Sequence, residues 1–189
     1  MMKKLFICLM VMFVSLSSSA QTTFPHLSFM GIPLNGTIDR FQAKLSAKGV
    51  YVNHVANKTI GVGCRVFKGS FSGKKADIYV YYNDKTKIVY RAKAVIEASE
   101  KEFQDNNYKY FESMLNAKYS YAETEKGNHD NHESISWLVP TLDENSFYKY
   151  LGVIDLYCSS YSYLQYSVHV DYTDTVNKQK SDNQNMDDL

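Results

Sequence analysis

The feature that most constrains the fold of this chain is an internal repeat of its apolar pattern. Residues 37–51 align with residues 107–121 at an offset of 70, which places Phe41 over Phe111 and Leu45 over Leu115. Downstream, the apolar positions of the two copies keep the same phase at an offset of 76. Repetition that occurs twice indicates two fused copies of one structural unit rather than a solenoid, which needs at least three repeats.

Each copy has the pattern of one helix followed by strands. The first helix is predicted to begin after Thr37 and to end at Gly49, and the second to span residues 100–118. Alternating apolar residues then predict a hairpin in each copy, with the second turn near Ser159 and Ser160. We therefore expect an α+β fold in which a duplicated unit of one helix plus three or four antiparallel strands places its helices on one face of the sheet. The units are predicted at residues 21–99 and 100–176.

The two ends of the chain differ from these units in composition. Lys3 and Lys4 precede an apolar run over residues 5–14, and small residues lead up to Ala20, as in a secretory signal peptide over residues 1–20. The run is shorter than the roughly 20 residues of a membrane-spanning helix. We expect cleavage near Ala20, a periplasmic or secreted location and no transmembrane segment in the mature chain. Residues 177–189 carry almost no apolar side chains and are predicted to be a disordered tail.

The charge of the chain gives no reason to expect a nucleic-acid partner. Removing the two signal-peptide lysines from the 21 basic residues leaves 19 against 20 acidic residues. Nucleic-acid binding usually requires a clustered basic patch, which a near-neutral chain of this pattern does not show.

Cysteines and histidines leave two further possibilities open. Cys64 and Cys158 either pair in the oxidising compartment or remain buried free thiols, since sequence does not give their separation. A cluster of His129, His132 and Glu133 would hold zinc or a similar ion if its polar stretch curled, whereas the alternative is a solvated loop without a metal. We expect no cofactor.

Several aromatic and charged residues alternate with the apolar residues of the predicted strands, so they face the other side of the sheet. Tyrosine and arginine are enriched at protein interfaces, so this face is a candidate for binding a protein or peptide partner. The alternative is ordinary cross-strand pairing on a solvated sheet. The candidate partner-binding residues are Tyr79, Tyr81, Arg91, Lys93, Tyr157 and His169.

The stretch FMGIPLNGTIDRFQAKLSAKG over residues 29–49 resembles a pattern F-x-G-I-P that opens a group of uncharacterised secreted proteins of gut Bacteroidota. An F-x-G block at residues 71–73 accompanies it. The tandem plan is also similar in architecture to the β-lactamase inhibitor proteins, which are two-unit secreted binders. Neither resemblance assigns a functional residue to this chain, because a shared fold does not fix a function.

Three functions remain open from the sequence, in order of preference. The first is an exported, non-enzymatic module that recognises a protein or peptide through an open sheet face. The second is a binder of a small molecule or glycan that uses the same aromatic side chains. The third is a metal-dependent enzyme whose site lies at residues 129–133.

Overall fold

The computed structural model describes residues 25–129, 132–142, 145, 147–162 and 165–186, with the side chains of residues 161 and 162 left aside. The predicted signal peptide lies outside these residues. In chain order the elements are β1 (Ser28–Phe29), β2 (Ile32–Pro33), α1 (Ile38–Ser46), β3 (Tyr51–Val52), a short 3₁₀ helix (Ala56–Lys58), β4 (Cys64–Phe71), β5 (Lys74–Tyr82), β6 (Val89–Ala98), α2 (Lys101–Lys118), β7 (Glu123–His129), β8 (His132–Pro140), β9 (Tyr150–Ser162), β10 (Gln165–Asp174) and α3 (Thr175–Met186).

One large antiparallel sheet organises the molecule. Its eight strands lie in the order β3-β4-β5-β6-β10-β9-β8-β7, and β1 and β2 form a separate small hairpin. Each half of the sheet is a run of four sequence-adjacent strands that follows one helix. The last strands of the two halves, β6 and β10, pair with each other at the centre. The predicted α+β class and antiparallel sheet are confirmed.

The apolar core lies on one face of this sheet. The helices contribute Ile38, Phe41 and Leu45 from α1 and Phe111 and Leu115 from α2, all of which are buried. They join one cluster with the inward-facing side chains of the central strands, such as those of Ala94 and Val170. Both helices therefore pack on the same face, which leaves the opposite face to the off-phase residues.

The C-terminal segment differs from its prediction. Residues 177–186 belong to α3, so the predicted disordered tail is wrong for this part, and residues 187–189 lie outside the described chain. Polar contacts hold this helix in place: the Asn177 side chain donates to the Leu34 carbonyl at 2.6 Å, and the Asn83 side chain donates to Ser181 Oγ at 3.1 Å. Because polar side chains hold this helix in place, its sequence does not show the apolar stripe from which a helix is predicted.

Two strand boundaries also differ from the sequence-based expectation. The polar stretch around His129 and His132, for which a solvated loop was one of the two alternatives, forms β7, whose residues are all exposed, and the start of β8. The turn expected near Ser159 and Ser160 does not occur, because β9 continues through both residues to Ser162. None of the helices in the described ranges combines the length and apolar character that crossing a membrane requires.

Candidate functional site

The face of the sheet away from α1 and α2 carries a continuous layer of aromatic and charged side chains, here called the polar face. Strand register places its members side by side: Tyr79 lies opposite Lys93, and Tyr81 opposite Arg91, on β5 and β6. On the neighbouring strands β10 and β9, His169 lies opposite Tyr157. All six residues predicted from the off-phase pattern thus occupy one face of four adjacent strands.

Cations stack on tyrosine rings at the β5–β6 side of the polar face. The Arg91 guanidinium lies 4.7 Å from the Tyr81 ring centroid, and the Lys93 ammonium lies 5.4 Å from that of Tyr79. Such contacts contribute roughly 0.5–2 kcal/mol each, depending on their exposure to water. They also hold the two cations against the sheet surface.

Arg91 is also bound to a buried carboxylate that the sequence analysis did not select. Its Nε donates to both carboxylate oxygens of Asp171, at 2.9 and 3.0 Å, and its Nη2 donates to Asp171 Oδ2. This bidentate bond keeps the pKa of Arg91 above its ordinary value. Asp171 is nearly inaccessible to solvent, so the pair is a fixed and internally neutralised part of the polar face.

The β9–β10 side of the polar face is more enclosed than an open sheet surface. The Tyr157 and His169 rings stack with centroids 4.7 Å apart, and the His129 ring from β7 packs on Tyr157 at 4.0 Å. Tyr157 and His169 are 6% and 4% exposed. Burial raises the pKa of Tyr157 above its ordinary value. Tyr157 is therefore a packed structural residue rather than an accessible contact.

A cleft of about 570 Å³ opens on the polar face beside His169. Its walls come from β5, β6 and β10, and three of the six predicted residues line it. This volume lies within the range of ordinary ligand sites, roughly 300–1,000 Å³. The lining residues that carry its chemistry are Tyr79, Lys93, Glu97, Tyr166, Ser167 and His169.

Two polar groups of this cleft lack a hydrogen-bond or ion-pair partner within the described part of the chain. The buried Nδ1 atom of His169 makes no hydrogen bond, and the Lys93 ammonium has no hydrogen-bonded or ion-paired carboxylate. Burial lowers the pKa of Lys93 from its ordinary value, with Asp171 acting in the opposite direction and Arg91 in the same one. Burial, followed by the charges of Lys93 and His129, lowers the pKa of His169 to about 3. The imidazole is therefore neutral near pH 7.

Ser167 and His169 form a contact that resembles a nucleophile and its base. Ser167 Oγ lies 2.8 Å from His169 Nε2. An effective general base needs a pKa near the working pH and a third group that orients its ring. His169 has a pKa of about 3 and no partner on Nδ1. The pair is consequently a weak base system, and its main effect is to fix the orientation of the imidazole.

The residues proposed from sequence as metal ligands are not brought together. His129 and His132 are opposite each other in the β7–β8 hairpin, but His129 packs on Tyr157 and His132 Nε2 contacts Ser160 Oγ at 3.2 Å. Glu133 lines a separate pocket with Tyr108 of α2, on the other side of the sheet. Among the described residues there is no group of three histidine, cysteine or acidic side chains placed to hold a metal ion.

The disulfide left open by the sequence does not form. Both Cys64 and Cys158 are free thiols. Cys64 is on β4 and Cys158 is on β9, four strand positions apart, or about 19 Å at the usual strand spacing. A disulfide needs Cα atoms within about 7 Å. Burial raises the pKa of each thiol to about 11, so neither is a reactive thiolate near pH 7.

Sequence reasoning missed Ser167, Asp171 and Asp155 on the polar face. Asp155 accepts a hydrogen bond from Ser136 Oγ at 2.6 Å, and burial raises its pKa above the ordinary value. A signal was available on β10, where Ser167, His169 and Asp171 follow at intervals of two and must share a face.

The chain was compared with protein-family models, with curated proteins and with solved structures. No match was found in any of the three comparisons.

Proposed function

We propose that this protein is a non-enzymatic binding module whose partner, a protein or peptide segment, lies on the polar face with the cleft as its main recognition site. The observation that carries the proposal is the cleft itself, which is lined by Tyr79 and Lys93 among others. The Lys93 ammonium stacks on the Tyr79 ring and forms no ion pair among the described residues, so the cleft presents a cation and an aromatic ring side by side. A partner with an acidic or aromatic group can bind both.

The tyrosines beside the cleft support a peptide or protein ligand. Tyr79 and Tyr81 are only partly buried, and each is held by a cation on its ring. Rigid aromatic side chains next to a pocket are typical of interface residues that contribute most of the binding free energy. Enclosed Tyr157 packs on the His169 ring and is not expected to contact the partner.

A peptide selection tests the proposal. A displayed library of random peptides is selected on the purified protein, and the selected peptides are measured against variants. We expect Tyr79→Ala and Lys93→Gln each to weaken binding by roughly tenfold or more, which corresponds to about 1.4 kcal/mol. The matched control is Tyr51→Ala, because Tyr51 is 65% exposed on the edge strand β3. Peptides whose binding depends on Tyr51 but not on Tyr79 would refute the proposal.

A small-molecule ligand is the second candidate, and the size of the cleft favours it. A volume of about 570 Å³ accommodates a compact organic molecule or a sugar unit. A panel of sugars and metabolites scored by thermal unfolding separates this candidate from the first, because stabilisation follows RT ln(1 + [L]/Kd). A compound that stabilises the native protein but not the Lys93→Gln variant would favour the second candidate.

The duplication remains part of the proposal, and the arrangement of the two halves supports it. Each half is one helix followed by four antiparallel strands, and the matched residues Phe41 and Phe111 are both buried. At the centre of the sheet, Ala94 pairs with Val170, which are also matched residues.

Strand register changes one part of the proposed alignment. Ala94 lies opposite Ile78 on β5, and Val170 lies opposite Leu156 on β9. If Ala94 and Val170 are equivalent, Ile78 therefore corresponds to Leu156. The sequence alignment had matched Ile78 with Ile154, two residues earlier.

We further propose that the module is exported, on the basis of the signal-like residues 1–20.

A further inference from the structure

We propose that the loop of residues 53–63, here called the edge loop, docks on the surface of an anionic lipid bilayer. This inference goes beyond the proposed binding function and concerns a different surface, at the end of the sheet where β3 is the last strand. The loop inserts aliphatic side chains among the lipid headgroups, and the cations around it hold the protein against the negative surface.

The first argument comes from the distribution of charge, which is uneven although its total is close to zero. Residues 40–76 contain eight lysine and arginine residues and no aspartate or glutamate. This stretch includes most of α1 and all of β3, the 3₁₀ helix and β4, which lie together at one end of the sheet. The exposed cations of the stretch are Arg40, Lys44, Lys48, Lys58, Lys68 and Lys75.

Nearby carboxylates neutralise only part of this charge. Arg65 Nη1 lies 2.9 Å from Oδ1 of Asp39, so this cation is paired. Asp77, the next carboxylate in the sequence, lies opposite Lys68 in the register of β4 and β5 and offsets its charge. The other exposed cations of the stretch form no ion pair with a carboxylate of the described residues. This end of the molecule therefore keeps an excess of positive charge.

The second argument comes from the aliphatic side chains that the edge loop presents to solvent. Val55 and Val62 are 79% and 80% exposed, and Ile60 is 37% exposed. Lys58 lies between them in the sequence and is exposed as well. Single exposed apolar side chains are ordinary on a protein surface, whereas several of them on one short segment mark an interaction site.

Hydrogen bonds hold the edge loop in this exposed arrangement. The Asn53 N–H donates to the Val66 carbonyl at 2.9 Å, and Asn57 Nδ2 donates to the same carbonyl at 2.6 Å. The Val66 N–H donates to Asn57 Oδ1 at 3.0 Å, and within the loop the Ile60 N–H donates to the Ala56 carbonyl at 3.1 Å. An ordered backbone thus exposes the aliphatic side chains. The bonds to Val66 also occupy the edge of β4, so an added peptide strand cannot pair there.

Aliphatic side chains among cations match an anionic bilayer better than other acidic partners. Proteins that lie on a bilayer bury apolar side chains at the headgroup level while lysines attract anionic lipids. A second copy of the chain is less suitable, because its opposite edge strand β7 has no aliphatic residue to cover the valines. A nucleic acid would engage the cations but would leave the aliphatic side chains in water.

Vesicle binding tests the inference with the chain from residue 21 to residue 189. This chain contains every described residue and lacks the apolar run at residues 5–14, which would bind lipid by itself. We expect it to sediment with vesicles of phosphatidylglycerol and not with vesicles of phosphatidylcholine. Added salt should weaken the binding, because salt screens the attraction between exposed charges.

Charge variants test the electrostatic part of the inference. Each lysine near an anionic surface strengthens binding by about fivefold, so Lys48→Gln combined with Lys58→Gln should weaken vesicle binding by roughly twentyfold. The matched control is Lys109→Gln combined with Lys180→Gln, which removes the same charge from exposed positions on α2 and α3. This control should bind vesicles as the native chain does.

A tryptophan at position 62 tests insertion directly. Native Trp137 is fully buried, so its emission should stay constant. We expect the emission of Val62→Trp to shift to shorter wavelength with phosphatidylglycerol vesicles. Leu142→Trp, at a position that is 87% exposed, should show no shift. Val55→Ser combined with Val62→Ser should weaken vesicle binding and leave its salt dependence in place.

The outcomes separate lipid from the other acidic partners. A chain that does not sediment with phosphatidylglycerol, or a tryptophan at position 62 whose emission does not shift, would overturn the inference. Equal binding to soluble heparin by the native chain and the valine variant, with no vesicle binding, would assign the cations to a soluble polyanion. Salt-sensitive self-association without vesicle binding would assign the loop to a second copy. Peptide binding that depends on Tyr79 and Lys93 stands or fails separately, because both residues lie on the polar face.

Discussion

At the scale of single residues, the F-x-G pattern has a conformational cause that appears twice. Phe29 and Phe71 each precede a two-residue hairpin loop, and both loop positions have positive φ: 53° and 73° at residues 30 and 31, and 47° and 80° at residues 72 and 73. This is the type I′ geometry, which favours glycine at the second position. The two phenylalanine rings then stack on each other, with centroids 5.2 Å apart. The pattern thus places two turns around one aromatic contact.

The first prediction concerns the glycine of the longer hairpin. Gly73→Ala should lower the free energy of unfolding by about 1–2 kcal/mol, the usual cost of a left-handed conformation for a residue with Cβ. A Cβ atom at Gly73 meets no neighbour within 4 Å, so the loss reflects the backbone alone. Urea unfolding measures it. Gly61→Ala is the control, since Gly61 is exposed and open, and equal losses at both sites would contradict the explanation.

The second prediction concerns His169 and pH. Its pKa is about 3 in the folded protein, whereas the ordinary value for histidine is 6.5, so the unfolded chain binds the proton more readily. The stability that this group contributes is present above pH 6.5 and is lost as pH falls toward 3, with a slope of up to about 1.4 kcal/mol per pH unit. Between pH 6.5 and 3, the free energy of unfolding of the native protein should fall relative to that of His169→Gln, with this slope. The exposed His54→Gln variant should follow the native protein, and parallel curves for all three would refute the prediction.

At the scale of elements, α3 is fixed by a buried carboxylate at its start. Asp174 is fully buried: its Oδ1 accepts from the Asn177 backbone N–H at 2.9 Å, and its Oδ2 accepts from the Leu27 N–H at 2.9 Å. The same oxygen lies 3.0 Å from Nδ1 of His26. One side chain therefore caps the helix and holds the N-terminal segment against it.

The third prediction follows from that arrangement. Asp174→Ala should lower the free energy of unfolding by about 3 kcal/mol, because it leaves two buried N–H groups without an acceptor. Hydrogen exchange should accelerate in both α3 and the segment that contains Leu27. Asp182→Ala is the control, because the exposed Asp182 forms an ion pair with Lys178 within α3. Exchange that accelerates in α3 alone would show that the two segments are not coupled.

The elements that could be predicted from sequence are those that bury a periodic apolar face. Helices α1 and α2 and the strands around Ile78 and Ile154 carry such a pattern. Strand β7 does not, because every residue of this edge strand is exposed, as is common for edges protected by charged side chains. Helix α3 was missed for a different reason: two of its three buried residues, Asn177 and Ser181, are polar.

At the scale of the whole molecule, the sheet separates an apolar side with α1 and α2 from a polar side with the cleft. Sequence phase was enough to predict which residues share the polar face, because side chains alternate strictly along a strand. It was not enough to predict the cleft, because the Arg91–Asp171 pair and the packing of His129 on Tyr157 depend on strand order and register. That is also why Tyr157 is enclosed although its phase is that of Tyr79.

Photo-crosslinking in the native cells tests most directly whether a partner binds the polar face. A photoreactive phenylalanine derivative is introduced at position 79 on the polar face or at position 114 on the outer side of α2, where Met114 is 42% exposed. We expect position 79 to yield adducts, these adducts to disappear when Lys93→Gln is added, and position 114 to yield none. Adducts that form from position 114 and not from position 79 would show that the partner binds the helical side, and would refute binding at the polar face.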